Sequence, residues 1–161
     1  MGTQDGTSER LAPEDEQLFP HLTPENYRVT SPCDALYNCI AHAADDHALV
    51  WDPGMLPLPG YFWPNGADRG RGPDSLRSAF EVIGYQLCSN DSFEDGYEKV
   101  ALYVDSDGDW SHAAKQDRTT GGWSSKLGSE HDIAHETPHT LSGSLYGNVV
   151  YLMRRRVDER V

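Results

Sequence analysis

At 161 residues, with 37% hydrophobic and 10% aromatic side chains, the chain is long enough to bury a core without disulfide or metal staples. Its 26 acidic side chains against 13 basic ones leave a formal charge of −13, which excludes a generic nucleic-acid binder, because few phosphate counterions could be released. Three cysteines at unrelated spacings (Cys33, Cys39, Cys88) form no CxxC pair, no window is apolar enough to span a membrane, and the polar start lacks an apolar leader, so the expectation is a reduced, cytoplasmic protein that binds neither nucleic acid nor membrane.

Residues 1 to 22 read as a flexible acidic arm, with Leu18 and Phe19 as possible docking points. Residues 23 to 157 read as one domain and 158 to 161 as a tail. Thr23-Pro24 reads as a cap with proline at the first helical position of a short turn, and residues 27 to 34 as extended or turning. A helix is expected over residues 34 to 45, where Leu36, Cys39, Ile40 and Ala43 fall on one apolar stripe. Its start is open: Asp34 or Ser31 could cap it, or it could begin near Tyr37 or Asn38. The stretch from Trp51 to Gly72, rich in proline, glycine and aromatics, cannot be a regular helix and reads as a loop walling a groove. A second helix is expected over residues 74 to 83, stopped by Gly84, then a short strand over 85 to 88. Lys99 to Asp105 and Trp110 to Gln116 are strands joined by an Asp-Gly turn, followed by strands over 122 to 128 and 147 to 155. The order defines an α+β domain, N-terminal helices packed on an antiparallel meander.

Cys39 lies on the inward stripe of its helix, and a helix start close before it would favour the thiolate. A nucleophilic cysteine needs a base. His112 stands in mid-strand, where alternation puts Trp110, His112 and Ala114 on one face. On the next strand Ser125 shares the apolar face with Trp123 and Leu127. Pairing Gln116 with Gly122 would instead set Lys126 opposite His112, but lysine cannot accept from an imidazole N–H, which leaves Ser125 or a backbone carbonyl to orient the ring. Metal ligation is the weaker alternative. Cys39 and His42 sit three apart, and His131, His135 and His139 recur every four, yet Pro138 interrupts a helix there and four ligands are not evident. No cofactor or metal is expected. The Asp105–Asp109 cluster reads as a hairpin turn in preference to a calcium loop.

The motifs NCIAHA, HAAKQ, WSSKLG and YGNVVYLMRR resemble those of a small uncharacterised bacterial family with the pattern NCIAWA…HAA(R/K)Q…W(S/T)SKLG…YG, over about residues 23 to 156. His42 stands where that pattern has tryptophan. The order of cysteine at a helix start, histidine on an early strand and polar residue one strand later resembles the papain-like hydrolases, in particular the NlpC and CHAP types. That resemblance implies Cys39 as nucleophile, His112 as base and Ser125 as orienting residue. It also implies a substrate cleft that the reading gives to Asn38, Trp63, Trp123 and Lys126. The expected activity is hydrolysis of an amide or thioester in a peptide, a peptidoglycan crosslink or a protein. The alternative is a catalytically idle binding or immunity-type protein of the same fold, whose acidity suits a basic partner protein.

Overall fold

A computed structural model describes residues 10–31, 34–127 and 131–159. In chain order the elements are α1 (Pro13–Glu16), β1 (Tyr27–Ser31), α2 (Cys39–Ala43), β2 (Val50–Trp51), β3 (Tyr61–Phe62), α3 (Pro73–Val82), β4 (Gln86–Leu87), β5 (Tyr97–Val104), β6 (Trp110–Gln116), β7 (Trp123–Lys126), β8 (Asp132–His135) and β9 (Asn148–Arg156). Short 3-10 turns at Pro53–Met55, Pro138–Leu141 and Val157–Glu159 complete the set. Cys33 and residues 1–9 lie outside the described residues, as do 128–130 and 160–161.

Seven strands form one antiparallel sheet in the order β1-β8-β7-β6-β5-β9-β4, while β2 and β3 make a separate parallel pair. The consecutive run from β5 to β8 is the expected meander, and β9 returns along the free side of β5. This is an α+β domain. Four strands extend the expected set: β1 in the stretch read as extended or turning, β8 over the histidine repeat, and the two-residue β2 and β3 at the start of and within the stretch read as a loop. With His135 on a strand and His139 in a 3-10 turn, the i, i+4, i+8 helical spacing does not exist in the fold.

The sheet is covered on both faces. On one side α2, α3 and the 50–63 segment pack through Ile40, Leu76, Phe80, Val100, Leu102 and Met153. On the other, Leu11, Phe19 and Leu22 pack with Tyr103, Ile133 and Leu141. Residues 10–22 therefore do not form a free arm. Phe19 is 3% exposed, and the Leu11 amide donates to the Tyr27 hydroxyl at 2.8 Å. The acidic composition of this segment hid three apolar residues at irregular spacing, each seated in the second core.

Helix α2 starts later than the apolar stripe suggests. Asn38 is its cap, its Oδ1 accepting from the Ala41 amide at 3.1 Å. Asp34 serves an Asx turn to the Leu36 amide, so Leu36 is outside the helix and 67% exposed. Cys39 is the first helical residue.

Register corrects a second expectation. Tyr103 pairs with His112, but Val104 pairs with Trp110, so Ser111 is an extra residue in β6. Such a bulge breaks strict alternation. Trp110 joins Ala113 on the α2 side, whereas Ala114 joins the second core, and His112, paired with Tyr103, follows that face. Gln116 pairs with Trp123, one residue beyond the simple hairpin count, and this shift sets Ser125 on His112's face and Lys126 on the opposite one.

Two substitutions test the packing. Phe19→Ala is expected to cost about 3–5 kcal/mol in urea unfolding, the usual loss for a buried phenylalanine; a change under about 0.5 kcal/mol would mean the segment does not pack. Gly147 has φ of 76°, and a Cβ there would lie 1.9 Å from the Val104 carbonyl oxygen. Gly147→Ala is therefore expected to destabilise by about 3 kcal/mol or more, read as a lowered Tm.

Candidate active site

Three buried polar side chains on the second face form a chain of hydrogen bonds. His112 Nε2 lies 3.0 Å from Ser125 Oγ, Ser125 Oγ lies 2.8 Å from His135 Nε2, and His135 Nδ1 lies 2.8 Å from the Thr137 carbonyl oxygen. Both histidines are buried, and burial holds their pKa values down, His135 at about 4 and His112 well below the usual range. Both rings are neutral near pH 7.

Neutrality fixes every proton in the chain. A carbonyl only accepts, so His135 carries its hydrogen on Nδ1 and its Nε2 is a bare acceptor. Ser125 has one hydrogen and must donate it to that acceptor. His112 must then donate from Nε2 into the Ser125 oxygen, which leaves His112 Nδ1 as a bare lone pair. That atom is buried and has no hydrogen-bond partner among the described residues. An unsatisfied buried polar atom costs about 1–3 kcal/mol. Tyr146 stacks on the ring at 4.1 Å and 6° and holds its plane.

Cys39 occupies the junction where β6 and β7 part. Their ladder has only two pairs, Lys115 with Ser124 and Gln116 with Trp123. The Asp117 amide donates across to Gly122, and alternation points the Ala113 amide the same way, beyond the end of the ladder. The Cys39 sulfur fills that position: the amides of Ala113, Ile40 and Cys39 itself favour its thiolate, with Lys126 adding positive charge. Burial outweighs them and pushes the thiol up to about 11. The sulfur also acts electrostatically on Tyr146, the ring stacked against His112. Cys39 makes no hydrogen bond to His112 among the described residues, because His112 Nδ1 has none.

The fold thus brings His112 to Ser125 directly, and Cys39 to the amide of the residue next to His112. His135, the fourth member, was considered in the sequence only as a metal ligand; its role depends on β8 lying beside β7, a pairing no local pattern encodes. The other site residues have structural duties. Asn38 accepts from the Trp51 amide at 3.1 Å and donates to its carbonyl at 3.0 Å, so the side chain clamps α2 to β2. Trp63, expected in a cleft wall, is 3% exposed; it stacks on Trp110 at 5.6 Å and donates to the Asp68 carbonyl. Trp123 is a core residue whose edge lines a surface pocket of about 550 Å³ with His135, Tyr27 and Arg28. Lys126 is fully buried, its ammonium 4.5 Å from the Tyr37 ring and 3.8 Å from Asp132. Cys88 is half-buried and distant in the chain's order, its sulfur on the Asn90 carbonyl.

What the fold and these residues define is a small α+β domain with a polar relay buried in an antiparallel sheet. A family model described as Domain of unknown function (DUF7689) matches residues 28–154, and the chain belongs to that family. No curated protein and no solved structure matches the chain. The matched span contains Cys39, His112, Ser125 and His135. No helix among the described residues is long and apolar enough to cross a membrane.

Depressed histidine pKa values make stability pH-dependent with a definite sign. Below about 6.5 the unfolded chain takes up protons that the folded His42, His112 and His135 refuse until about pH 4 or lower. Their contribution is complete above pH 6.5 and is lost as pH falls, at about 1.4 kcal/mol per pH unit for each histidine. Urea unfolding at pH 7 and pH 5 is expected to show a loss of several kcal/mol; equal stability at both would contradict the buried neutral rings.

Proposed function

We propose that the chain is a papain-like cysteine hydrolase of the NlpC/CHAP kind, cleaving an amide or thioester bond of a peptide, peptidoglycan or protein substrate. The observation that carries this reading is the bare, buried Nδ1 of His112. A base that must take a thiol proton needs an open lone pair and an oriented ring, and the Ser125–His135 chain supplies both.

Both partners are neutral at rest and out of contact, so the reading requires the Cys39 thiol to come within hydrogen-bond reach of His112 Nδ1, whereupon its proton moves there as sulfur attacks the carbonyl carbon. The amides of Ala113, Ile40 and Cys39 act on the sulfur, and those of Ala113 and Cys39 are assigned to the developing oxyanion; the Asn38 side chain is engaged with Trp51. The leaving amine takes the proton from His112, giving an acyl-thioester. Water, deprotonated by the same nitrogen, then releases the carboxylic acid and restores the thiol. Ser125 acts through His112 as a positioning residue, and His135 holds Ser125 as a donor.

A second reading has its own support. Cys39 is 9% exposed, burial holds its thiol at about 11, and the charge of −13 suits a basic partner protein, as an idle binding or immunity-type domain requires. Alkylation by iodoacetamide separates the two. The hydrolase reading predicts a Cys39 rate that is level across neutral pH and falls at least tenfold in His112→Ala. A rate that climbs about tenfold per pH unit towards 11 and ignores His112 would remove the hydrolase reading in favour of the binding one.

A further inference from the structure

The α2 face of the sheet carries a second, separate arrangement of nucleophile, base and acid. His42 Nε2 lies 2.8 Å from Ser124 Oγ, and His42 Nδ1 lies 3.7 Å from Asp132 Oδ2. The imidazole is about 94% buried and its Nδ1 has no hydrogen-bond partner among the described residues. Asp132 is held by the Tyr37 hydroxyl at 2.9 Å and by Lys126 at 3.8 Å. Ser124 is half-buried and opens on a cavity of about 260 Å³. Lys115, the cross-strand partner of Ser124, lines the same cavity, with its ammonium 2.5 Å from Asp45.

We propose that Ser124, His42 and Asp132 form a serine acyl-transfer site that hydrolyses small esters, independent of Cys39. The order of contacts is the one such chemistry needs: a hydroxyl on one imidazole nitrogen, a carboxylate facing the other, and a cavity at the hydroxyl. Ser124 Oγ attacks the ester carbonyl while its proton passes to His42 Nε2. The imidazolium draws Asp132 from 3.7 Å into hydrogen-bonding range, a closure common when charge develops. His42 then protonates the departing alkoxide, and water attacks the acyl-serine by the same route. The ammonium of Lys115 is paired with Asp45 at rest and serves as the counter-charge for the oxyanion only when it turns from that carboxylate towards the cavity both residues line. The cavity is smaller than the usual range of drug-sized pockets, so the acyl group is short.

A fluorophosphonate probe tests this directly, because the Ser124 O–P bond forms as P–F breaks and fluoride leaves with the proton first held on His42. Mass-spectrometric mapping of labelled full-length protein is expected to find the adduct on Ser124, lost in Ser124→Ala and reduced at least thirtyfold in His42→Gln and Asp132→Asn. The mapped adduct on Ser124 is expected to survive Cys39→Ala and His112→Ala, which disable only the cysteine site. No adduct on the wild-type protein, an adduct on another serine, or Ser124 labelling that persists undiminished in folded His42→Gln or disappears in Cys39→Ala would overturn the proposal.

Discussion

One hydroxyl proton, on Ser125, orders the polar interior of this domain. Between two buried neutral imidazoles it can be given to one side only, and the Thr137 carbonyl behind His135 decides which. Everything on the His112 side follows: the ring must donate from Nε2, and Nδ1 is left without a hydrogen. The same arrangement explains why three adjoining strands tolerate serine and histidine where apolar residues would pack at lower cost. A fully satisfied polar chain is stable in a dry interior, and here, among the described residues, it is satisfied at every atom but His112 Nδ1.

The second constraint is geometric. Seen only as alternating faces, Cys39 and His112 belong to opposite sides of the sheet, since α2 packs with Ala113 and the bulge at Ser111 turns His112 away from Trp110. The β6–β7 ladder ends after two pairs, and the Ala113 amide beyond it acts on the Cys39 sulfur. Cys39 thus touches the strand that carries His112 without a hydrogen bond to His112 itself among the described residues.

Much of the architecture was legible because its causes are local. The Asp-Gly turn, the strands β5 and β9, and α3 with Pro73 in its first turn appear where the residues predict them. The site was legible as far as His112 with Ser125, because apolar alternation put Ser125 inward even when the hairpin count did not. What escaped was non-local. His135 enters the site through the β7–β8 pairing, Trp63 is core because Trp110 faces it, and Leu11, Phe19 and Leu22 reveal their burial only against Tyr103 and Leu141. The Ser111 bulge has no signature in its residue types, and it reversed the expected partnership of Trp110 and His112. The contact of His42 with Ser124, 82 residues later, is the same kind of case.

The central claim is that His112 presents an unprotonated Nδ1 because Ser125 is committed to His135. Nitrogen-15 NMR of the histidine rings at pH 7 measures this directly. The account predicts a neutral His112 with a pyridine-type Nδ1 and a protonated Nε2, reverting to a mixture of tautomers in Ser125→Ala. A His112 protonated at Nδ1, or charged at both nitrogens, would contradict it.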